Sequence, residues 1–242
     1  MSSPQTVLQS ILDSGRVENG AGEARQLRGH IGKPEGELCQ ELIREHEVSE
    51  CLEVGCAYGI ASLYISEALR EKSDPHHTII DPLELGKWEG IGLQNLEQAG
   101  ISFWDYIEQG SELALPELVR EGRHFDFVLI DGYHTFDHTM IDLFYSTKLL
   151  RVGGILALDD ANHPPVYKAA RYFSEYPCYE KVGATPSKSV LKGVLTSILP
   201  LASSTLSFAF PQALVDRLGT DRLIAFQKTN EDDRPWDWYR QF

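Results

Sequence analysis

The chain has 242 residues, with 22 Lys and Arg against 36 Asp and Glu, a formal charge of −14, 42% hydrophobic residues and 24% charged ones. This is the composition of a globular protein with material for one sizeable core, and it excludes an intrinsically disordered chain. An acidic surface without a Lys/Arg run argues against nucleic acid and anionic lipid as partners.

Residues 1–32 are polar and Gly-rich apart from Val7-Leu8 and Ile11-Leu12, which predicts a helix and a loosely held arm ahead of a main domain over 33–242. From Pro34 the pattern becomes regular. A helix over Glu35 to His46 leads into a buried strand, Cys51 to Gly55, and a helix over Ile60 to Arg70. Next come a strand at His77 to Asp81, a helix over Ile91 to Gln98, a short strand at Ile101 to Phe103 and a helix over Leu113 to Arg120. Phe125 to Asp131 reads as a strand and Thr135 to Leu150 as a helix; after Gly153-Gly154, Ile155 to Leu158 is a strand and Val166 to Tyr172 a helix. Tyr179 to Val182 and Leu223 to Phe226 complete the set. Alternating strands and helices predict an α/β, Rossmann-like doubly wound fold, with a seven-stranded, mostly parallel sheet and helices on both faces.

Residues 184–221 separate the last two strands by more than an idle connection needs, and predict a lid or a subunit interface of a homo-oligomer. Within them Val190 to Phe210 is mostly apolar, but Lys192, Gly193 and Pro200 interrupt it. A spanning helix needs about 20 predominantly apolar residues, so a packed excursion is expected and no membrane role. The start, Met1 to Gln5, has no basic stretch leading into an apolar one, and Cys39, Cys51, Cys56 and Cys178 show neither CxxC pairing nor zinc spacing. A cytoplasmic protein with reduced thiols is expected. The tail over 232–238 reads as a segment stapled to the core by Trp236 and Trp238.

In doubly wound sheets ligands sit beyond the carboxyl ends of the strands, where the connection direction switches. Here those ends carry Glu53, Asp81, Asp131 and Asp159-Asp160. Isolated acids at buried strand ends cost desolvation, so their recurrence points to a site. Gly55-Cys56-Ala57-Tyr58-Gly59 brings backbone close to a ligand. The nicotinamide fingerprint would need glycine where Ala57 and Ile60 stand, so an NAD(P) oxidoreductase is disfavoured. Glycines spaced G-x-x-x-G suit a ligand without pyrophosphate, Glu53 suits one carrying positive charge, and Asp81 stands where an acid accepts bonds from a ribose diol. A sulfonium nucleoside satisfies all three; the alternative is a glycine pair that only shapes the turn.

Leu52 to Gly59, Asp81, Gly110-Ser111 before Leu-Pro-Glu-Leu, and Phe125 to Gly132 together resemble the class I S-adenosylmethionine-dependent methyltransferases, in order and spacing, from about Pro34 to Pro165. Within that class the chain is similar to the metal-dependent O-methyltransferases of the catechol and caffeoyl type, and to relatives acting on macrolide sugars and cephalosporins. The resemblance implies a methionine end of the cofactor lined by Glu53, Gly55, Cys56, Ala57, Tyr58 and Gly59, with Asp131 beside it. Ribose would meet Asp81, and the adenine edge Gly110 and Ser111. Ala61 departs from the pattern, standing where catechol-type enzymes often place a Ser that contacts the cofactor carboxylate.

The resemblance also makes Asp131, Asp159 and Asp160 ligands of a divalent metal, and three carboxylates form a hard site suited to Mg²⁺, Mn²⁺ or Ca²⁺. The alternative is that Asp159 caps a turn and Asp160 is solvated. His134 stands three residues after Asp131, at the position of the family's catalytic Lys. With an unperturbed pKa near 6.5 it would take the acceptor's proton, beside Asp131; the alternative is that it caps the following helix. His138 and His163 lie near that cluster, and His76, His77 and His124 are assigned nothing. The expected activity is O-methylation of a small hydroxylated molecule. A nucleoside-binding protein of this fold with no methyl transfer, or with another reaction, is the competing reading.

Overall fold

The computed structural model describes residues 3–186 and 221–241. In chain order its elements are α1 (Pro4–Ser14), β1 (Arg16–Glu18), β2 (Ala24–Gln26), α2 (Lys33–Glu45), β3 (Glu50–Val54), α3 (Ile60–Leu69), β4 (His76–Ile80) and α4 (Ile91–Gln98). They continue as β5 (Trp104–Ile107), α5 (Ser111–Arg120), β6 (Phe125–Ile130), α6 (Phe136–Leu149), β7 (Leu150–Leu158), α7 (Pro164–Phe173), β8 (Tyr179–Pro186) and β9 (Asp221–Lys228). Seven strands form one sheet in the order β5-β4-β3-β6-β7-β9-β8. β9 is antiparallel to both neighbours, while the β5-to-β7 ladders are parallel. The expected fold class is the one observed. Between β3 and β6 the connections change direction, and the carboxyl ends of these strands open a crevice there.

Strand alternation sends side chains to two apolar layers. Cys51, Phe127, Leu129, Ile155 and Ala157 face the layer that holds α2, α3 and α4. Leu52, Val54, Val128, Ile130, Leu156 and Leu158 face the layer built from α5, α6 and α7.

Four expectations change. The N-terminal region is not loosely held: Val7, Leu8 and Ile11 of α1 and Val17 of β1 are buried in the first layer, and the β1–β2 hairpin follows directly. The short strand lies at Trp104–Ile107 rather than at Ile101 to Phe103, because Ile101 is buried against the end of α4, its N–H bonded to Leu96 O at 3.1 Å. β7 begins at Leu150 and runs through Gly153-Gly154, absorbing them in a register shift against β6. In the tail only Trp238 is stapled, against Tyr172, Tyr176 and the Arg234 guanidinium, while Trp236 is 97% exposed. The lid or interface expected over 184–221 lies outside the described residues except at its ends, which belong to β8 and β9. The four cysteines are free and buried. Among the described residues no helix is long and apolar enough to cross a membrane.

Candidate active site

The first loop is shaped by what lies beneath it. Gly55, at φ +94°, passes so close to β6 that a Cβ would stand 2.1 Å from Asp131 O. Its N–H continues the ladder to Ile80 O at 2.8 Å, and the Asp131 N–H reaches Val54 O at 2.8 Å. Gly59 starts α3 in the left-handed region, where a Cβ would meet Gly92 O at 2.8 Å. Both glycines are therefore steric requirements of the turn and of its packing.

Asp81 organises this turn. One carboxylate oxygen accepts the N–H groups of Cys56 (3.0 Å) and Ala57 (3.1 Å), and the other that of Leu83 (2.8 Å). The acid thus joins the loop after β3 to the loop after β4, and it lines the cavity they enclose. Cys56, Ala57 and Tyr58 line the same cavity, as do Gly55 and Ser111. Gly59 stands behind the wall, and Gly110 is the residue that starts α5.

Glu53 is not on that wall. Its place in β3 alternates with Leu52 and Val54, so its side chain enters the layer under α3 and is fully buried. There its Oε2 accepts from Ser62 Oγ at 2.7 Å and lies 3.0 Å from His77 Nε2, off the angle of a hydrogen bond, while Oε1 has no partner. The expected contact with the methionine end is replaced by a buried Glu53–His77–Ser62 group supporting the loop from below. Sequence reading gave His77 no role, although it stands opposite Cys51 in the β3–β4 register. Glu84, also missed, is fully buried and accepts the N–H groups of Gly92 (2.7 Å) and Leu93 (3.2 Å) at the start of α4. Burial raises its pKa to about 7.

The other end of the cavity is acidic. Asp131 ends β6 and Asp159-Asp160 ends β7, with the Asp159 N–H bonded to Ile130 O at 3.0 Å. His134 reaches back between them, its Nε2 2.9 Å from Asp160 Oδ2 and 3.6 Å from Asp131 Oδ1. Asp131, His134 and Asp160 each offer one ligand atom within 4.8 Å of the others. Asp159, expected as the third ligand, stands outside that set; it is buried, with Oδ1 unpartnered, and His134 takes its place among the converging atoms. His134 does not cap α6: Thr135 does, its hydroxyl accepting the His138 N–H.

The electrostatics follow from this crowding. Burial, then Asp131 and Asp160, push Asp159 well above the usual carboxylate range, and burial also raises Asp131. His134 and its charge hold Asp160 below that range. Contact with Asp131 and Asp160 raises His134 to about 10, so at neutral pH the imidazole carries a proton and partly neutralises the pair. Arg222, at the start of β9, adds its Nε 3.7 Å from Asp160 Oδ1. His163 packs 5.4 Å from the His134 ring.

Both ends open into one cavity of about 590 Å³. Residues 28–32 of the N-terminal segment, where substrate choice is expected to lie, cross it, and Lys87, Trp88 and Arg222 complete its lining. At Gly29 a Cβ would lie 3.7 Å from the Trp88 ring, and at Gly32 one would lie 3.6 Å from the Arg222 guanidinium. Arg222 also donates to His30 O at 3.4 Å, and burial and Arg222 together depress the His30 pKa. The segment taken for an arm is thus a wall of the site.

Residues 52–161 match the family model described as a methyltransferase domain. No curated protein sequence matches the chain. Among solved structures, an O-methyltransferase from Bacillus cereus in complex with S-adenosylhomocysteine aligns at TM-score 0.65 and 16% identity, over 92% of this chain and 90% of that one. The O-methyltransferase TomG from Streptomyces achromogenes, involved in tomaymycin synthesis and solved with S-adenosylmethionine, aligns at 0.62 and 15%, over 94% and 89%. A Podospora anserina methyltransferase, PaMTH1, bound to S-adenosylhomocysteine aligns at 0.53 and 16%, over 64% and 74%. At these identities the likeness establishes the fold. Residues 52–161 thus match a methyltransferase domain, and the fold around them is the one these solved methyltransferases share.

Proposed function

We propose that the chain methylates an oxygen of a small hydroxylated molecule, with S-adenosylmethionine as donor and a divalent ion, Mg²⁺, Mn²⁺ or Ca²⁺, held at the acidic end. The observation that carries this reading is the single cavity joining the glycine loop and Asp81 to Asp131, His134 and Asp160.

At the cofactor end, the Gly55–Tyr58 backbone receives the methionine portion, Asp81 the ribose hydroxyls through lone pairs left free by the loop N–H groups, and Ser111 the adenine edge. At the other end the residues fit a hard cation. Asp131 and Asp160 supply carboxylate oxygens for it, and His134 Nε2, 2.9 Å from Asp160 Oδ2 and 3.6 Å from Asp131 Oδ1, is left to take a proton. The donor supplies an electrophilic methyl, and a divalent ion would supply the positive charge against which an acceptor hydroxyl ionises.

What the chain contributes is placement and proton handling. Tyr58 and Trp88, edge to face at 5.0 Å, wall the cleft from water, and the strand-end loops hold acceptor and donor in one line. His134 accepts a proton at Nε2 only from its neutral form, which requires Asp131 and Asp160 to be neutralised by something other than its own proton.

The test is turnover of vicinal diols with S-adenosylmethionine, with and without chelator. Chelator-sensitive methyl transfer is expected; turnover indifferent to chelator would remove the ion, and binding of NAD⁺ in preference to S-adenosylmethionine would remove the reading altogether.

A further inference from the structure

We infer that the acceptor carries an oxyanion, a carboxylate or a phosphate, received by Arg28 and Lys87 at the mouth of the cavity; this rests on the reading of the site as one that methylates a hydroxyl. Two segments meet there, residues 25–29 from the hairpin and residues 87–89 from the loop after β4. They are pinned to each other by a forked pair, Arg25 Nε to Glu89 Oε1 at 2.7 Å and Arg25 NH2 to Glu89 Oε2 at 2.9 Å, and Asn19 adds a bond to the same carboxylate at 2.6 Å. Leu27 and Trp88, one from each segment, both pack against the first apolar layer.

Each segment therefore spends one charged residue on the other and has a cation left over. Arg28, immediately before Gly29, has no carboxylate partner among the described residues. Lys87, immediately before Trp88, lies over the Trp88 ring at 4.5 Å and likewise has none. Both line the cavity and both are exposed at its opening. In a chain with 36 acids to 22 Lys and Arg, two cations without a carboxylate partner among the described residues, lining one cavity from two segments pinned by Arg25–Glu89, are a specific arrangement. A fork-shaped guanidinium and an ammonium lining the same cavity suit an oxyanion, and their charge offsets the repulsion that the acidic floor exerts on an anionic ligand. The residues proposed for the cofactor, Cys56, Tyr58 and Asp81, are buried, whereas Arg28 and Lys87 are exposed.

The experiment compares three vicinal diols of one shape: 3,4-dihydroxybenzamide, 3,4-dihydroxybenzoate and 3,4-dihydroxyphenylphosphonate. Binding is titrated by calorimetry to the full chain with S-adenosylhomocysteine and Mg²⁺ present, and S-adenosylmethionine affinity is measured separately. An anionic diol is expected to bind about tenfold more tightly than the amide at low salt, with the advantage shrinking as ionic strength rises. Whichever anion is favoured identifies carboxylate or phosphate as the group read. In R28Q/K87Q, whose substitutions are both on the surface, the advantage is expected to vanish while S-adenosylmethionine affinity stays within about twofold. Equal binding of amide and anions overturns the proposal, as does a variant that loses S-adenosylmethionine instead, which would assign the cations to the cofactor carboxylate. If S-adenosylmethionine binds and none of the diols does, the underlying reading of the acceptor falls and takes the proposal with it.

Discussion

The two ends of the cavity are built from different materials. The end proposed for the cofactor is mostly backbone: a glycine turn, its N–H groups gathered on Asp81, and a buried acid–imidazole pair beneath. The acceptor end is made of side chains brought from β6, β7, β9 and the N-terminal segment, and its charges press against one another. A backbone-made site is limited by steric room, so it fails when an atom is added. A side-chain site is limited by electrostatic balance, so it fails when a charge is removed. Substitutions at each end should accordingly separate binding from turnover.

The largest effect is expected at the acceptor end. Asp160→Asn keeps the shape but removes a charge from the set formed with Asp131 and His134. If Asp160 holds the proposed ion, its loss should lower kcat/KM on the order of 10²–10³-fold, and S-adenosylmethionine affinity, measured by calorimetry, should stay within about twofold. An equal loss of both quantities would mean that the two ends are not separable.

Gly55→Ala is the matching test of the cofactor end. Its Cβ would lie 2.1 Å from Asp131 O at a φ of +94°, so β6 or the loop must move. A cost of about 3 kcal/mol or more is expected, read as a lower Tm, together with loss of S-adenosylmethionine binding. A variant that kept wild-type Tm and affinity would refute the steric account.

The same division explains what the sequence disclosed. Gly55, Asp81, Asp131 and Asp160 were legible as cavity-lining residues because each stands at or just past a strand end. Glu53 was misplaced for an equally local reason: it stands one residue before Val54, and the two-residue period of a strand turns it under α3 rather than toward the ligand. His134 is a base by the resemblance, which puts it at the family's catalytic Lys, but the pairing that raises it to about 10 includes Asp160, which follows another strand. Arg28, Lys87 and Arg222 left no trace at all, since nothing in their spacing shows that three loops converge. The strand at 104–107 was shifted because its residues are all half-buried, with no alternation to find.

Glu84 gives a graded test of how far the cofactor end depends on buried charge. Its folded pKa is raised to about 7 from an ordinary 4.5, so the unfolded chain releases the proton first. The stability attached to the protonated acid is full below about 4.5 and is lost as pH rises through about 7. Glu84→Gln keeps an oxygen for the Gly92 and Leu93 N–H groups while removing the titration. Denaturant melts from pH 4 to 8 should show the variant gaining on the wild type with rising pH, by on the order of 3 kcal/mol at most. Parallel curves would show that Glu84 is solvated.

The smallest effect is expected at the seam between hairpin and loop. Arg25–Glu89 is a well-formed pair, yet both side chains are about a third exposed, at 35% and 38%, where ion pairs contribute little to global stability. Its influence is local, because the pair fixes the loop whose next residues inward, Lys87 and Trp88, line the cavity. Arg25→Gln should leave Tm unchanged within error and weaken ligand binding by no more than about threefold, with the loss growing as salt is lowered. Hydrogen exchange would read the cause, as faster exchange of amides 83–90 with the sheet unaffected. Unchanged exchange in that loop would mean that the packing of Leu27 and Trp88 on the core, and not the ion pair, holds the segment in place.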